Sequence, residues 1–326
     1  MEPDAAGRRG WKGVNVKCEK APTDRGSARR SKATDDDAVS STEAGPRTRS
    51  PVAQWFGRCF YACGNTGLPK YIDCLGTRYL LARVLKHDFM AATALYEAEA
   101  VGAGRPGRLI CKNHRRMHFC WFPLGWFGRL LMRREIRNLR RCEGIVEVPV
   151  VLARLGPSSF VYEYVEGKSL DDMPSLPVDY FDRLADAVRR IHERNLVHFD
   201  LNKPGNILVD EKGRPHVIDF QVSVHLGDRF LLSRWLSGRV RRRLQAYDIY
   251  HVYKQKRRLQ PNRLTEDEDK LSRNHSLPLR IHRAIARPYK LVRRSCLRYL
   301  HAKGILLPPD RAEVCAETDP ARWERK

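Results

Sequence analysis

The sequence predicts an α+β fold, with short strands and helices alternating up to about residue 220 and basic helices beyond it. Three observations predict it. Hydrophobic residues make up 42% of the 326, enough for a packed core. Apolar spacing switches repeatedly between a period near two and a period near 3.6. The net charge of +23 is unevenly laid down: +4 over residues 1–104, +9 over 105–143, −5 over 144–228, +16 over 229–303 and −1 over 304–326. An acidic stretch between two basic ones is a poor design for a protein that only coats nucleic acid. It suits a site that holds metal ions.

No run of about 18 apolar residues is present, which argues against a spanning helix. The start, Met1-Glu2-Pro3-Asp4, lacks the basic-then-apolar pattern of a secretory signal. Nine cysteines are scattered without pair spacing; Cys59, Cys63 and Cys74 are the nearest to a cluster, and a zinc site wants a tighter set of four ligands. Buried or surface thiols in a reducing cytoplasm are the expectation, against zinc at that cluster as the alternative.

Residues 1–50 are rich in Gly, Ser, Thr, Asp and Arg and read as a disordered arm; Trp55, Phe56, Phe60 and Tyr61 follow without a clear placement. Ile72, Leu75, Tyr79, Leu80 and Val84 recur at helical spacing and predict a helix from Tyr71 to Lys86. His87–Ala100 and Gly107–Asn113 read as strands joined by a glycine-rich turn at 102–107. A basic helix is predicted from Arg129 to Cys142, then strands at Val146–Leu155 and Ser159–Val165. Val178–Arg194 is an amphipathic helix. Short strands at Ile207–Val209 and His216–Ile218 bracket a turn at Asp210–Gly213, and the chain beyond Arg229 is helical and very basic.

The chemistry concentrates in Val197-His198-Phe199-Asp200-Leu201-Asn202-Lys203-Pro204-Gly205-Asn206-Ile207-Leu208-Val209 and in Val217-Ile218-Asp219-Phe220-Gln221. Two carboxylates and an amide sit at the ends of short apolar strands, which hold polar tips in place. Asp219 and Asn206 offer hard oxygens that suit Mg²⁺. Asp200 is available to accept a proton from an attacking hydroxyl. That is a minimum set for phosphoryl transfer, where positioning and charge neutralisation dominate.

These segments resemble the protein-kinase-like superfamily over roughly residues 85–260: His198-Phe199-Asp200 with Asn206 looks like its catalytic loop, and Ile218-Asp219-Phe220-Gln221 like its metal-binding segment. The resemblance implies a two-lobed α+β fold with a small strand-rich N-lobe and a helical C-lobe. It implies ATP and Mg²⁺ as cofactors, Asp200 as base with Lys203 beside it, and Asn206 and Asp219 as metal ligands. Lys112 looks like the strand lysine that holds phosphates, and Glu135 like its helix partner. Phe160–Gly167 looks like the hinge, with Tyr162 as gatekeeper and backbone groups of Glu163 and Val165 meeting adenine. Plainer readings stand beside two of these: Lys112 as a surface lysine, and Glu135 as a charge balance, since it is the only acid between Arg105 and Cys142.

The sequence departs from the family pattern in four places. The phosphate-covering stretch, Asp88–Tyr96, has no Gly-x-Gly-x-x-Gly; small residues and the Thr93 hydroxyl stand there instead. Asp200 and Asn206 are six positions apart where the pattern has five, whereas Asn206 to Asp219 keeps thirteen. Gln221 replaces a glycine that permits backbone flipping, which suggests a fixed, active-like segment. No Ala-Pro-Glu follows. A non-catalytic nucleotide-binding scaffold is therefore a standing alternative to an enzyme.

Tyr247–Leu259 and the Leu264-Thr265-Glu266-Asp267-Glu268 start resemble a small bacterial branch, the lipopolysaccharide-core (Kdo/heptose) kinases and, more distantly, RIO-type kinases. Thr265 and Glu268 have capping-box spacing. Asp248 reads either as a helix-start acid or as a brace for the catalytic loop. Tyr247, Tyr250 and Tyr253 read as a core helix face rather than as platforms for RNA. The insert from His118 to Met132 mixes aromatics with arginines, either to cover the N-lobe core or to meet a bilayer interface. The acceptor implied is a hydroxyl, on a protein Ser/Thr or on an envelope glycolipid. An anionic membrane surface is a further partner and nucleic acid a less favoured one. The expected division is an arm (1–70), an N-lobe with hinge (71–165), a C-lobe with basic extension (166–303) and a tail (304–326), in the cytoplasm or at the inner face of its membrane.

Overall fold

The computed structural model of the chain describes residues 68–100, 104–119, 121–227 and 234–273, together with 59, 61–64 and 295. The tail expected over 304–326, most of the arm expected over 1–70 and nearly all of the basic extension beyond Arg273 lie outside the described residues.

One antiparallel sheet holds β1 (Tyr71–Cys74), β2 (Thr77–His87), β3 (Ala91–Ala98), β4 (Arg108–His114), β5 (Val151–Arg154) and β6 (Ser159–Glu163), in the order β1-β2-β3-β4-β6-β5. Helix α1 (Gly125–Arg141) connects β4 to β5. After β6 come β7 (Lys168–Ser169), α2 (Tyr180–Glu193), β8 (Leu196–Val197), β9 (Ile207–Val209), β10 (Pro215–Val217), β11 (Val224–His225), α3 (Arg234–Leu259) and α4 (Glu266–Arg273). The small strands form two further sheets, β10-β9-β7 and β11-β8.

The helix expected over Tyr71–Lys86 is a β-hairpin. Leu75 and Gly76 take φ of 54° and 71°, the left-handed pair that closes a two-residue hairpin. Ile72 then faces Tyr79 across the ladder, and both are buried. Of the apolar residues that fit a helical period, Ile72 and Tyr79 turn to the core, Leu75 sits in the turn and Leu80 is exposed. The phosphate-covering stretch narrows as well. Asp88 Oδ1 accepts the N–H groups of Met90 and Ala91 at 2.8 and 2.9 Å, so the turn closes within Asp88–Met90 and pairing resumes at Ala91. Thr93 is a strand residue, as the strand read over His87–Ala100 expects, and stands opposite Lys112 in the register of β3 and β4. The strand expected from Val146 starts only at Val151. Before it, Ile145 and Val148 donate back to Cys142 and Ile145 in successive turns, and Pro149 has no N–H for a ladder.

Two apolar clusters flank the sheet. On one face Ile72, Tyr79, Tyr96, Leu109, Cys111 and Val161 pack together. The other cluster joins Met132, Ile136 and Leu139 of α1 to Phe160, to Phe181 and Ile191 of α2, and to Leu201, Ile207, Val217 and Phe220. One core thus carries both α1 and the segments around Asp200 and Asp219. The period of two puts Leu109 and Cys111 in the first cluster and turns Lys112 to the α1 side. Gly128 lets α1 approach closely: a Cβ there would lie 2.0 Å from the Arg115 carbonyl oxygen. Cys59, Cys63, Cys74, Cys111 and Cys142 are buried free thiols. Among the described residues no cluster of His, Cys, Asp and Glu is arranged to hold a metal by itself.

Candidate active site

Lys112 projects from β4 and Glu135 from the buried face of α1, and Nζ meets Glu135 Oε1 at 2.7 Å. The same ammonium meets Asp219 Oδ1 at 2.7 Å, across 107 residues of chain. Neither plainer reading holds, because both Lys112 and Glu135 are buried against each other. Burial alone would raise the Asp219 carboxyl, but the Lys112 ammonium, with Lys86 and Lys203, overrides it and holds Asp219 far below the usual carboxylate range. Desolvation likewise opposes charge on Lys112, and Asp219 and Glu135 outweigh it and push Lys112 upward. Lys112 and Asp219 therefore face each other as an ion pair at ordinary pH. The second Glu135 oxygen lies 2.9 Å from Nε2 of His114, a fully buried ring stacked on Phe160. That contact is an ion-pair separation without hydrogen-bond alignment.

The residues of the loop from His198 to Asn206 form a second group. Asn206 Nδ2 donates to Asp200 Oδ2 at 2.9 Å and to the Asp200 carbonyl at 3.1 Å. Lys203 Nζ lies 3.0 Å from Asp200 Oδ2. The extra residue between Asp200 and Asn206 is absorbed by two successive turns, closed by Lys203 N–H on the Asp200 carbonyl and Asn206 N–H on the Lys203 carbonyl. The spacing departure therefore leaves the Asp200–Asn206 pairing intact. The Asn206 carbonyl accepts the Ile218 N–H at 3.0 Å, which ties this loop to the segment carrying Asp219.

Asp248 anchors the loop from below. It lies in the middle of α3, so the helix-start reading is overturned, and its two oxygens accept the N–H groups of His198 (2.7 Å) and Phe199 (2.9 Å). Phe199 has φ of 67°, a strained conformation that such a brace holds. His192 Nε2 contacts the same carboxylate at 3.0 Å. The His198 ring packs edge-on against Phe220 and its Nε2 lies 3.1 Å from the Ile218 carbonyl.

The segment after Asp219 is fastened to α1. Arg134 donates to the Gln221 carbonyl at 2.6 Å and Asn138 to the Ser223 carbonyl at 2.8 Å. This fits a segment that lacks the flipping glycine: Asp219 takes φ of 64° without one. Arg134, Asn138 and His114 escaped sequence reasoning. A signal for Asn138 was present, since it falls on the apolar face of α1 with Leu131, Ile136 and Leu139, where a polar residue needs a partner. The partners of Arg134 and His114 depend on the tertiary fold and have no spacing signal.

At the hinge, the Glu163 N–H is taken by the Val150 carbonyl at 2.9 Å, so only its carbonyl could serve a ligand. Val165 makes no backbone hydrogen bond among the described residues and keeps both groups for one. The partly buried Tyr162 phenol is pushed well up by desolvation and stays neutral beside Lys112.

The donor set fits Mg²⁺ with ATP. With Asn206 Nδ2 committed to Asp200, its Oδ1 accepts no hydrogen bond among the described residues, and Asp219 Oδ2 is not the oxygen bound to Lys112. Two hard oxygens without a dense protein cage suit a metal that takes its remaining ligands from phosphates and water.

The other expectations divide. The Thr265 cap forms reciprocally, Thr265 N–H to Glu268 Oε2 at 2.9 Å and Glu268 N–H to Thr265 Oγ1 at 3.3 Å. Tyr250 and Tyr253 are buried on α3, as a core face requires. The aromatics of the insert split: Phe119 packs edge-on against Phe89 at the β2–β3 turn, whereas Trp121, Phe122 and Trp126 are exposed.

Comparison with known proteins agrees with this geometry. The RIO domain family matches residues 126–233, which include Glu135, the catalytic loop and Asp219. CBL-interacting protein kinase 19 of Oryza sativa subsp. japonica is 33% identical over 179 residues, covering 52% of this chain and 33% of that protein. CBL-interacting serine/threonine-protein kinase 16 of Arabidopsis thaliana is 38% identical over 131 residues, 37% of this chain and 26% of that protein. CBL-interacting protein kinase 12 of Oryza sativa subsp. japonica is 42% identical over 99 residues, 28% and 18%. The chain thus spans a third or less of the length of these relatives. The RIO-type part of the expected resemblance is supported, and the lipopolysaccharide-kinase part stays an expectation. The chain has a protein-kinase-like α+β fold, similar over residues 126–233 to the RIO domain.

Proposed function

We propose that this chain is an ATP-dependent phosphotransferase that moves the γ-phosphate to a hydroxyl on a protein, a serine or threonine side chain. The observation that carries the reading is the Lys112 ammonium held 2.7 Å from both Glu135 and Asp219. A buried lysine fixed between two carboxylates is a pre-aimed cation for phosphate oxygens, and it joins the strand, the helix and the metal-binding segment in one arrangement. Bound Mg²⁺ would neutralise phosphate charge at Asn206 Oδ1 and Asp219. Asp200 orients the acceptor hydroxyl and takes its proton. Lys203, beside it, balances charge where the phosphoryl group arrives. Val165 and the Glu163 carbonyl meet the adenine. Residues 71–165 form the nucleotide-holding lobe and the chain from 166 the acceptor-facing one.

The names of the matched relatives, all protein kinases, favour a protein acceptor over a glycolipid. The test incubates the full chain with ATP labelled at the γ-phosphate, Mg²⁺ and a cell extract divided into protein and lipid fractions. Label should enter protein with the wild type and disappear with Asp200→Ala and with Asp219→Ala. Equal label from all three would overturn the enzymatic reading in favour of a scaffold. Label confined to the lipid fraction would replace the protein acceptor by a glycolipid.

A further inference from the structure

The outer face of α1 and the turn before it carry an apolar surface that the site does not use. Trp121 is 93% exposed, Phe122 67%, Trp126 56% and Leu130 48%. Trp126 and Leu130 are four apart on the helix and share a face, and Trp121 and Phe122 lie in the turn just before it. Scattered exposed apolar residues need no explanation, but four large ones in one short stretch do. They are not the edge of a groove already filled, because the buried residues of α1 (Leu131, Met132, Ile136 and Leu139 among them) occupy the opposite face.

The surroundings of this patch are cationic. Arg129 and Arg133 are exposed on the same side of α1. The only carboxylate of α1 is Glu135, which is buried against Lys112, so no acid faces outward along the helix. Tryptophan and phenylalanine beside arginine, with no negative charge between them, match the boundary between lipid headgroups and acyl chains. The rings enter the boundary while the guanidinium groups meet phosphates. A protein partner of ordinary surface composition would not require an acid-free stripe. Among the described residues no helix is long and apolar enough to cross a membrane.

We infer that Trp121, Phe122, Trp126 and Leu130, with Arg129 and Arg133, form a docking surface for an anionic lipid bilayer. The surface lies on the far side of α1 from Glu135, so this inference stands or falls independently of the phosphotransfer reading. The insert's lead-in touches the nucleotide-side turn through Phe119 and Phe89, whose ring centroids are 5.3 Å apart. Docking would therefore present the cleft at a fixed height above the lipid.

The test is flotation of the full chain with vesicles of phosphatidylcholine and phosphatidylserine in equal parts, against vesicles of phosphatidylcholine alone. The wild type should float with the anionic vesicles, less so as salt is raised. The double substitution Trp121→Ser with Trp126→Ser should weaken binding about a hundredfold, the loss expected for two large apolar side chains that no longer enter the boundary. Its thermal unfolding should match the wild type, since both residues are exposed. Val178→Ser, an exposed apolar position elsewhere, should float as the wild type does. Quenching of tryptophan fluorescence by brominated lipid should vanish in the double variant alone. Flotation unchanged by the double substitution, or no flotation of the wild type, overturns the inference. Self-association that depends on the two tryptophans, without flotation, overturns it too and assigns the surface to a second copy of this chain.

Discussion

Asp248 accepts the backbone N–H of His198 at 2.7 Å, although the two are 50 residues apart and lie on different elements. Its other oxygen takes the N–H of Phe199. A helix midpoint thereby fixes the entry to the catalytic loop, two residues before Asp200. Buried N–H groups that lose a partner cost about 1–3 kcal/mol each. Asp248→Ala leaves two of them and frees the strained Phe199 backbone. Stability should fall by about 2–4 kcal/mol in urea unfolding. Turnover at saturating ATP should drop at least tenfold below the temperature where the variant unfolds. A folded Asp248→Ala chain with wild-type turnover would show that the brace is not needed.

A second outcome concerns the pairing of Lys112 with Glu135 and Asp219. Lys112→Met removes the cation and leaves two carboxylates buried near one another, a defect worth about 3–5 kcal/mol. Adding Glu135→Gln removes one of those charges. The double variant should therefore regain stability relative to Lys112→Met while activity stays absent. Thermal unfolding and a phosphotransfer assay read the two separately. If the double variant is less stable than Lys112→Met, the carboxylates are not the source of the cost.

These two sites differ in how far the sequence revealed them. Asp200, Asn206 and Asp219 were legible because their chemistry is local: apolar strands with polar tips, at spacings that short turns dictate. Lys112 and Glu135 came from their order along the chain, and the structure brings them together through α1. The β1–β2 hairpin was not legible, because Ile72, Leu75, Tyr79, Leu80 and Val84 fit a helical period, and the left-handed Leu75-Gly76 pair decides for a hairpin. Thr93 falls within the strand read over His87–Ala100, and the Asp88 side chain confines the turn before it to Asp88–Met90. Asp248 was legible as an acid that either starts a helix or braces the loop, and the way α3 crosses beneath the loop decides for the brace.

The response to pH follows from the pairing of Asp219 with Lys112. Asp219 is depressed in the folded chain, so its contribution is fully present above the ordinary aspartate value of about 3.9 and is lost as pH falls towards the depressed one. Lys112 is raised, so its contribution is fully present below the ordinary lysine value of about 10.4 and is lost only at higher pH. Between these limits neither group titrates. The stability difference between wild type and Asp219→Asn should stay constant from about pH 5 to pH 9 and shrink below about pH 4. Urea unfolding of both proteins across that range checks it. A difference that varies steadily between pH 5 and pH 9 would mean that another titrating group sets the balance.

The β2–β3 turn yields the last prediction, from the pairing of Lys86 with Asp88. Lys86 Nζ lies 2.9 Å from Asp88 Oδ2, while Asp88 Oδ1 holds the N–H groups of Met90 and Ala91. An aspartate thus occupies the turn donors that an incoming phosphate would use, and it neutralises a lysine near the cleft. Lys86 is close enough to help hold the Asp219 carboxyl down, so its charge already reaches the site. Asp88→Asn keeps a side-chain oxygen for the two N–H groups and removes only the negative charge. The turn should persist, with Lys86 released towards the phosphates. KM for ATP should then fall about three- to tenfold, with kcat little changed, which corresponds to about 1 kcal/mol of added attraction at a partly exposed site. Lys86→Ala should move KM the opposite way, and combining it with Asp88→Asn should cancel the gain. If Asp88→Asn raises KM while its stability matches the wild type, the Asp88 carboxylate helps to hold the nucleotide rather than competing with its phosphates.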